Sequence, residues 1–308
     1  MSTDVKLRLG TRQSPLALAQ AEEARDRLCA AHGWSKAQVE LVKVVASGDK
    51  IQDQPLAEIG GKALWTKELD AWLAEGRIDV SVHSMKDVET LRTDELRIAA
   101  MLPREDVRDV LIGAESLASL APGSRVGTSA PRRAAQLLHA RPDCEIVGMR
   151  GNVATRLGKL DAGEADATFL AAAGLSRLGM SVGIALDSET WLPAPAQGAI
   201  GLECRFDDGA TIALLDAVNH GQTFDAVMLE RALLEGLGGT CHSPIAVLSE
   251  KRGDSFHLRA AIFSADGRER QAGEIDVAAG DFAAMHAFAQ DLLDKSPPAI
   301  RKLFDGQQ

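Results

Sequence analysis

Ile78-Asp-Val-Ser-Val82 runs straight into His83-Ser-Met-Lys-Asp87, an apolar strand that ends in side chains of both charge signs. Upstream, Thr66 predicts the cap of a helix that Gly76 stops, so a helix leads into this strand. Strands alternating with helices imply right-handed βαβ units and a parallel sheet. In open sheets of that kind, ligands bind just beyond the carboxyl ends of the strands. His83 to Asp87 therefore stand where a ligand is expected, with Lys86 suited to hold a carboxylate. Asp87 is suited to stabilise a cation or to move a proton.

The same pattern extends outward. Val5 to Leu9 alternates like a strand, Ser14-Pro15 reads as cap and first residue of a helix to about Ala31, and Val39 to Val45 is the next strand. Ser47 to Lys62 is a long irregular segment of the kind that forms lids or binding loops. The alternation restarts near Asp109, with strands at Arg125 to Thr128, Cys144 to Val147 and Ala167 to Ala171, and helices at Ser129 to Ala140 and Asn152 to Leu160. A Pro-rich stretch, Trp191 to Gly198, leads into the apolar strand Ala199 to Cys204.

The register changes after Asn219. A helix from about Thr223 to Leu237 and a Gly-rich turn precede alternating runs at Ile245 to Ser249, Phe256 to Phe263 and Glu269 to Val277. A helix from Asp281 to Lys295 closes the pattern, which reads as α+β with an antiparallel sheet. The expected fold is α/β: two lobes, 1–102 with 199–219 and 103–198, face one another across a cleft, and a smaller α+β C-terminal domain spans 220–308. The segments ending at Asp87, Ser129, Arg150 and Ala171 to Gly174 should converge on that cleft.

At 308 residues the chain exceeds what one core usually organises, and 45% hydrophobic with 25% charged residues is an ordinary globular balance. A net charge of -10 argues against nucleic acid or an anionic membrane surface as the main partner. Met1 to Gly10 lacks an apolar signal region, and no apolar run approaches the ~18 residues of a membrane span. Cys29, Cys144, Cys204 and Cys241 show no zinc-ligand spacing, so no metal is expected and the thiols should be reduced, as in cytoplasm.

Within this acidic chain the arginines are bunched. Gly127-Thr-Ser-Ala-Pro-Arg-Arg133 follows a strand and opens a helix, whose free N–H groups favour an anion. Arg150-Gly-Asn152 and Arg156 repeat the theme at the next junction, and arginine pairs bidentately with carboxylates. No Walker or G-x-G-x-x-G pattern is present, which disfavours a nucleotide. Cys241 lies in Gly236-Leu-Gly-Gly-Thr-Cys-His-Ser-Pro244, a loop whose glycines place the thiol outside a core. His242 is adjacent, but neighbours in an extended loop point to opposite sides, so a Cys–His nucleophile is the weaker reading.

Together these segments resemble the porphobilinogen deaminase (hydroxymethylbilane synthase) family. The resemblance rests on Thr11 to Ala17, His83 to Asp87, Arg150 to Arg156, Leu170 to Leu178 and Gln197 to Arg205, and resumes at Glu230-Arg231 and Cys241. It implies two type II periplasmic-binding-protein-like lobes with a third domain, and a dipyrromethane cofactor in thioether linkage to Cys241. It also implies head-to-tail condensation of porphobilinogen with loss of ammonia, by a cytoplasmic monomer.

By position, the resemblance makes Asp87 the catalytic carboxylate. Ser14, Lys86, Thr128, Ser129, Arg132, Arg133, Arg150 and Arg156 hold the cofactor, and Arg12, Lys62, Arg177 and Gln197 hold substrate. Departures from the family pattern are Ala130-Pro131 in place of Ser-Leu, Thr240 in place of Gly, Glu58 in place of Lys and Trp65 in place of Phe. The rival from another class is a non-enzymatic solute-binding protein of the same two-lobed fold.

Overall fold

A computed structural model of the chain describes residues 4–44, 66–240 and 242–304. In chain order the elements are β1 Leu7–Arg12, α1 Pro15–His32, β2 Val39–Val44, α2 Lys67–Ala74, β3 Val80–Ser84, β4 Leu96–Met101 and β5 Asp109–Ile112. They continue with β6 Arg125–Gly127, α3 Pro131–Ala140, β7 Glu145–Val147, α4 Val153–Asp161, β8 Ala167–Ala171, α5 Ala172–Arg177, β9 Ile184–Ala185 and β10 Ile200–Arg205. The last are α6 Gly209–Asp216, α7 Gly221–Leu237, β11 Ile245–Arg252, β12 Ser255–Phe263, β13 Arg270–Ala278, α8 Phe282–Asp294 and α9 Pro298–Arg301.

The chain forms two compact units. The first takes residues 4–44, 66–105 and 198–224; the second takes 106–197 and the described residues from 225 onward. The first holds a five-stranded sheet in the order β2-β1-β3-β10-β4, and the second holds β7-β6-β8-β5-β9. The two orders are the same pattern: three parallel strands joined by helical crossovers, one antiparallel strand, then an edge strand. The helix–strand alternation predicts a parallel sheet, and the three βαβ-linked strands of each sheet are parallel, with an antiparallel strand added at one side. The antiparallel strands are β10 and β5, each reached as the chain passes from one unit to the other. No crossover helix dictates the direction of a strand that enters in this way.

Local chemistry explains the helix ends. Ser14 Oγ accepts the Ala17 N–H at 3.3 Å, Pro15 fills the first position of α1, and Gly33 closes it at φ 65° with its N–H on Cys29 O. Leu7, Leu9, Val80, Val82, Ile200 and Leu202 pack with Ala21, Ala24 and Leu28 of α1 to form the core of the first sheet. Each fully buried leucine contributes about 2 kcal/mol. The second sheet buries Leu111, Val126, Phe169 and Trp191, the last two stacked at 4.9 Å.

Antiparallel β11-β12-β13 belongs to the second unit. With α7, α8 and α9 it encloses a core drawn wholly from residues 226–304, including Leu229, Leu233, Phe256, Ile262 and Phe288. A smaller apolar patch, Ala135, Leu192, Ala246, Leu248, Ala261 and Phe263, ties this part to α3. Among the described residues no helix is long and apolar enough to cross a membrane.

Candidate active site

In the first unit β1, β2 and β3 run parallel, so their carboxyl ends share one edge of the sheet. Arg12 is the last residue of β1 and Ser14 caps the helix after it. The segment following β2, with Glu58, Lys62 and Trp65, lies outside the described residues. β3 passes into a single 3₁₀ turn, Met85–Asp87, closed by Val88 N–H on Met85 O at 3.3 Å. Met85 is buried, and its thioether rests on Gly201 of β10, where any Cβ would collide with it. That seat fixes the turn which presents Lys86 and Asp87, both half-buried. The Asp87 carboxylate makes no hydrogen bond or ion pair with another described residue.

Behind the turn lies a buried charge network. Glu203, fully buried on β10, pairs through Oε2 with His83 Nε2 at 2.9 Å. It also receives a two-pronged contact from Arg92, Nε to Oε1 at 2.8 Å and Nη2 to Oε2 at 2.9 Å. Arg92 also donates to Asp70 Oδ1 at 2.5 Å and to Glu89 Oε2 at 2.8 Å. Thr66 stands at the N-cap of α2 as expected, but its hydroxyl donates to Glu89 Oε2 at 2.8 Å and makes no cap bond to the helix. Burial pushes the Glu203 carboxyl up, but His83 and Arg92 outweigh it and hold the group down at about 2. For Asp70 burial wins over Arg92, and its pKa rises. Arg92 is driven further up by the carboxylates despite its burial.

In the second unit the carboxyl ends of parallel β7, β6 and β8 again share an edge. There Thr128 accepts the Ala130 N–H at 3.2 Å and donates its own N–H to Val147 O at 2.9 Å. Ala130 contributes no side-chain cap to α3, and Pro131, at its first position, has no N–H to satisfy. At the next junction Asn152 caps α4 through the Thr155 N–H at 2.9 Å, and Arg156 Nε folds back onto Gly151 O at 2.9 Å. Gly127 leaves room for Met149, whose side chain would strike a Cβ there, just as Gly201 does for Met85. Arg150 follows Met149 directly, and Arg177 ends α5. Ser129, Arg150, Arg156 and Arg177 are half-buried.

Arg132 and Arg133, on the first turn of α3, are buried. Both are 5% exposed and turn onto Asp109, itself 0% exposed at the start of β5. Arg133 donates to Asp109 Oδ1 through Nη2 at 2.7 Å and to Phe169 O at 2.9 Å. Arg132 Nη2 meets Oδ2 at 2.8 Å, and its Nη1 donates to Leu192 O at 3.1 Å. Trp191 Nε1 and Gln197 Nε2 complete the shell at 2.8 and 2.9 Å. Burial raises the Asp109 carboxyl, and the two arginines overcome it and hold the group well below the usual range. Two guanidiniums against one carboxylate leave one positive charge in excess beside the Thr128–Ser129 junction. Sequence reading missed Asp109 and Glu203, although a carboxylate inside an otherwise apolar strand is a signal for a buried partner.

Cys241 lies outside the described residues, but its neighbours do not. Ser243 Oγ accepts the Thr240 N–H at 3.1 Å, and Thr240 Oγ1 accepts the His242 N–H at 3.2 Å. The hydroxyl that replaces glycine at position 240 is thus spent on the turn itself. Glu230, fully buried, accepts the Ala196 N–H at 2.6 Å and the Ser249 N–H at 3.0 Å, holding Ala196 at φ 59°.

Two family models match the chain. "Porphobilinogen deaminase, dipyromethane cofactor binding domain" covers residues 7–213, and "Porphobilinogen deaminase, C-terminal domain" covers 224–291. A relative from Sphingopyxis alaskensis named porphobilinogen deaminase is 55% identical over 308 residues, 98% of this chain and 97% of its own. One of the same name from Paracoccus denitrificans is 47% identical over 296 residues, 94% of this chain and 95% of its own. Among solved structures, the BvgS VFT2 domain of Bordetella pertussis aligns at TM-score 0.42 and 16% identity, over 73% of this chain and 90% of that one.

Proposed function

The chain belongs to the porphobilinogen deaminase family, and from that premise we propose which of its residues do the work. The enzyme is a transferase that condenses four porphobilinogen molecules head to tail, with loss of ammonia, into hydroxymethylbilane for tetrapyrrole and heme biosynthesis. It works with a dipyrromethane cofactor, and the rival reading as a non-enzymatic binding protein falls with the family. When bound, that cofactor supplies the pyrrole carbon to which new units are joined.

The residues of the second unit fit a group that carries several carboxylates. The buried Arg132–Arg133–Asp109 cluster has positive charge in excess and one guanidinium nitrogen, Arg132 Nε, buried without a hydrogen-bond partner. Thr128, Ser129, Arg150 and Arg156 lie in the segments that follow β6 and β7 and would bind acetate and propionate groups. Ser14 and Lys86 would do the same in the first unit, and Cys241 would form the thioether. Arg12, Lys62 and Arg177 would take the carboxylates of the incoming porphobilinogen, and Gln197 would act through Asp109, to which it donates.

Asp87 carries the catalytic reading. A half-buried carboxylate at the end of a central strand, without a hydrogen bond or ion pair to another described side chain, is available to a ligand. It would accept a pyrrole N–H and stabilise positive charge as it grows on that nitrogen while ammonia leaves. At ~4 Å and an effective dielectric of ~20, that attraction is about 4 kcal/mol before desolvation. Intact-mass spectrometry and turnover on three proteins test the assignments together. Wild type should carry two pyrrole units, Cys241→Ser none, and Asp87→Asn the full adduct with turnover reduced by at least ~100-fold. Active wild type with the mass of the bare chain, or Asp87→Asn at full rate with cofactor bound, would sink the corresponding role.

The finer organisation belongs to the same proposal. The self-contained core of residues 226–304 supports a third domain from about residue 220, beside lobes at 1–102 with 199–219 and at 103–198. Cys144 and Cys204, both buried thiols with pKa values raised by burial, suit a reducing cytoplasm. Light scattering should give the mass of a single chain.

A further inference from the structure

The turn that carries Asp87 is held by residues on both sides of it. On one side is His83, the fourth residue of β3, paired with Glu203; on the other is Glu89, two residues past Asp87. A single guanidinium reaches both sides. Arg92 grips Glu203 with two nitrogens and Glu89 with a third, and its contact to Asp70 ties the group to the first turn of α2. Thr66 adds its hydroxyl to Glu89. The Asp87 side chain has no such hold of its own among the described residues, so its direction is set by the backbone of the turn.

We propose that Arg92 is a positioning residue for the reaction: by clamping Glu203–His83 and Glu89 at once, it fixes the Met85–Asp87 turn and aims the Asp87 carboxylate at the reacting pyrrole. This rests on the reading of Asp87 as the catalytic carboxylate. The clamp touches neither substrate nor cofactor; it acts on where Asp87 points. Arginine suits the task because its planar fork offers parallel N–H groups to one carboxylate and a further edge to another, which a lysine ammonium does not. Glu203 is fully buried, so its two oxygens have no water to turn to and hold Arg92 and His83 in one geometry.

The test compares Arg92→Met, Arg92→Lys, Glu89→Gln, Asp87→Asn and the double variant Asp87→Asn/Arg92→Met. Each is purified with its cofactor, and intact mass checks the loading. Displacing a catalytic group by ~1 Å costs about 100-fold, so Arg92→Met should lose about that factor in kcat while KM for porphobilinogen stays nearly unchanged. Arg92→Lys should fall between it and wild type. Glu89→Gln opens only the outer arm of the clamp and should lose about tenfold, which decides the matter if Arg92→Met does not fold.

The double variant should be no slower than Asp87→Asn, because Arg92 acts only through Asp87. Full kcat in both Arg92→Met and Glu89→Gln, with Asp87→Asn inactive, overturns the clamp and leaves Asp87 standing. Losses that multiply in the double variant likewise overturn it, since they place Arg92's effect elsewhere. Wild-type turnover in Asp87→Asn instead overturns the reading of Asp87 itself, and the clamp with it.

Discussion

Glu203 lies in Ile200-Gly-Leu-Glu-Cys-Arg205, a strand whose other central side chains are apolar, and that contrast is plain in the sequence. Its partners are not, because Arg92 is 111 residues away and His83 120. The fold holds the Glu203 carboxyl at about 2 against 4.5 in an unfolded chain, a difference worth roughly 3 kcal/mol. A lowered carboxyl stabilises the fold above its unfolded pKa, and that contribution is lost as pH falls toward the folded value. Asp109, also lowered, acts in the same direction; Asp70, raised, opposes them. The unfolding midpoint should therefore fall between pH 4.5 and about 2, and Glu203→Gln should show a flatter fall. Thermal unfolding across that range checks it, and a wild-type midpoint constant across the window would contradict the network.

Most elements are legible from periodicity and caps: α1, β2, α3, β8 and the three strands of the last sheet fall within a few residues of the reading. The elements left unread include α5, α6 and β9, of six, eight and two residues, too short for a period to declare itself. The fit of elements to one another is equally hidden. Met85 on Gly201 and Met149 on Gly127 join residues from separate strands, and nothing local marks these glycines, which need no positive φ. They are glycines because a thioether occupies the space of a Cβ. Gly201→Ala should destabilise the fold by about 1–3 kcal/mol and slow turnover by tilting the Asp87 turn. Adding Met85→Ala should recover stability more than activity, because the turn then has room but no seat. Urea unfolding and kcat of the single and double variants give the answer.

At the scale of the whole molecule, two α/β sheets and a later antiparallel one are readable, but not that the third sheet joins the second in one compact unit. That union runs through small and apolar residues such as Ala135, Leu192, Ala246 and Ala261, which carry no sequence signature. The arginines are spread over both units, Arg12 in the first and Arg150, Arg156 and Arg177 in the second. If they serve different lengths of product, Arg12→Leu and Arg177→Leu should retain the cofactor yet stall with extra pyrroles when given a small excess of porphobilinogen. Arg150→Leu and Arg156→Leu should instead fail to load it. Removing one partner of a buried pair can cost ~3–5 kcal/mol, enough to trap an intermediate as a separate band on a native gel. Identical ladders would reduce the arginines to a diffuse field.

The two buried networks also differ in sign. Among the described residues, the one behind Asp87 sets the carboxylates of Glu203, Asp70 and Glu89 against the single guanidinium of Arg92, whereas the Asp109 cluster has more guanidinium than carboxylate. Dissolved ions screen exposed charges within about 8 Å at physiological strength but have little access to buried ones. If Arg150 and Arg156 hold carboxylates as proposed, rising ionic strength weakens that half-exposed grip first. The built-in polarity of each unit persists, so an enzyme that handles a growing polyanion keeps part of its attraction in a salty cell.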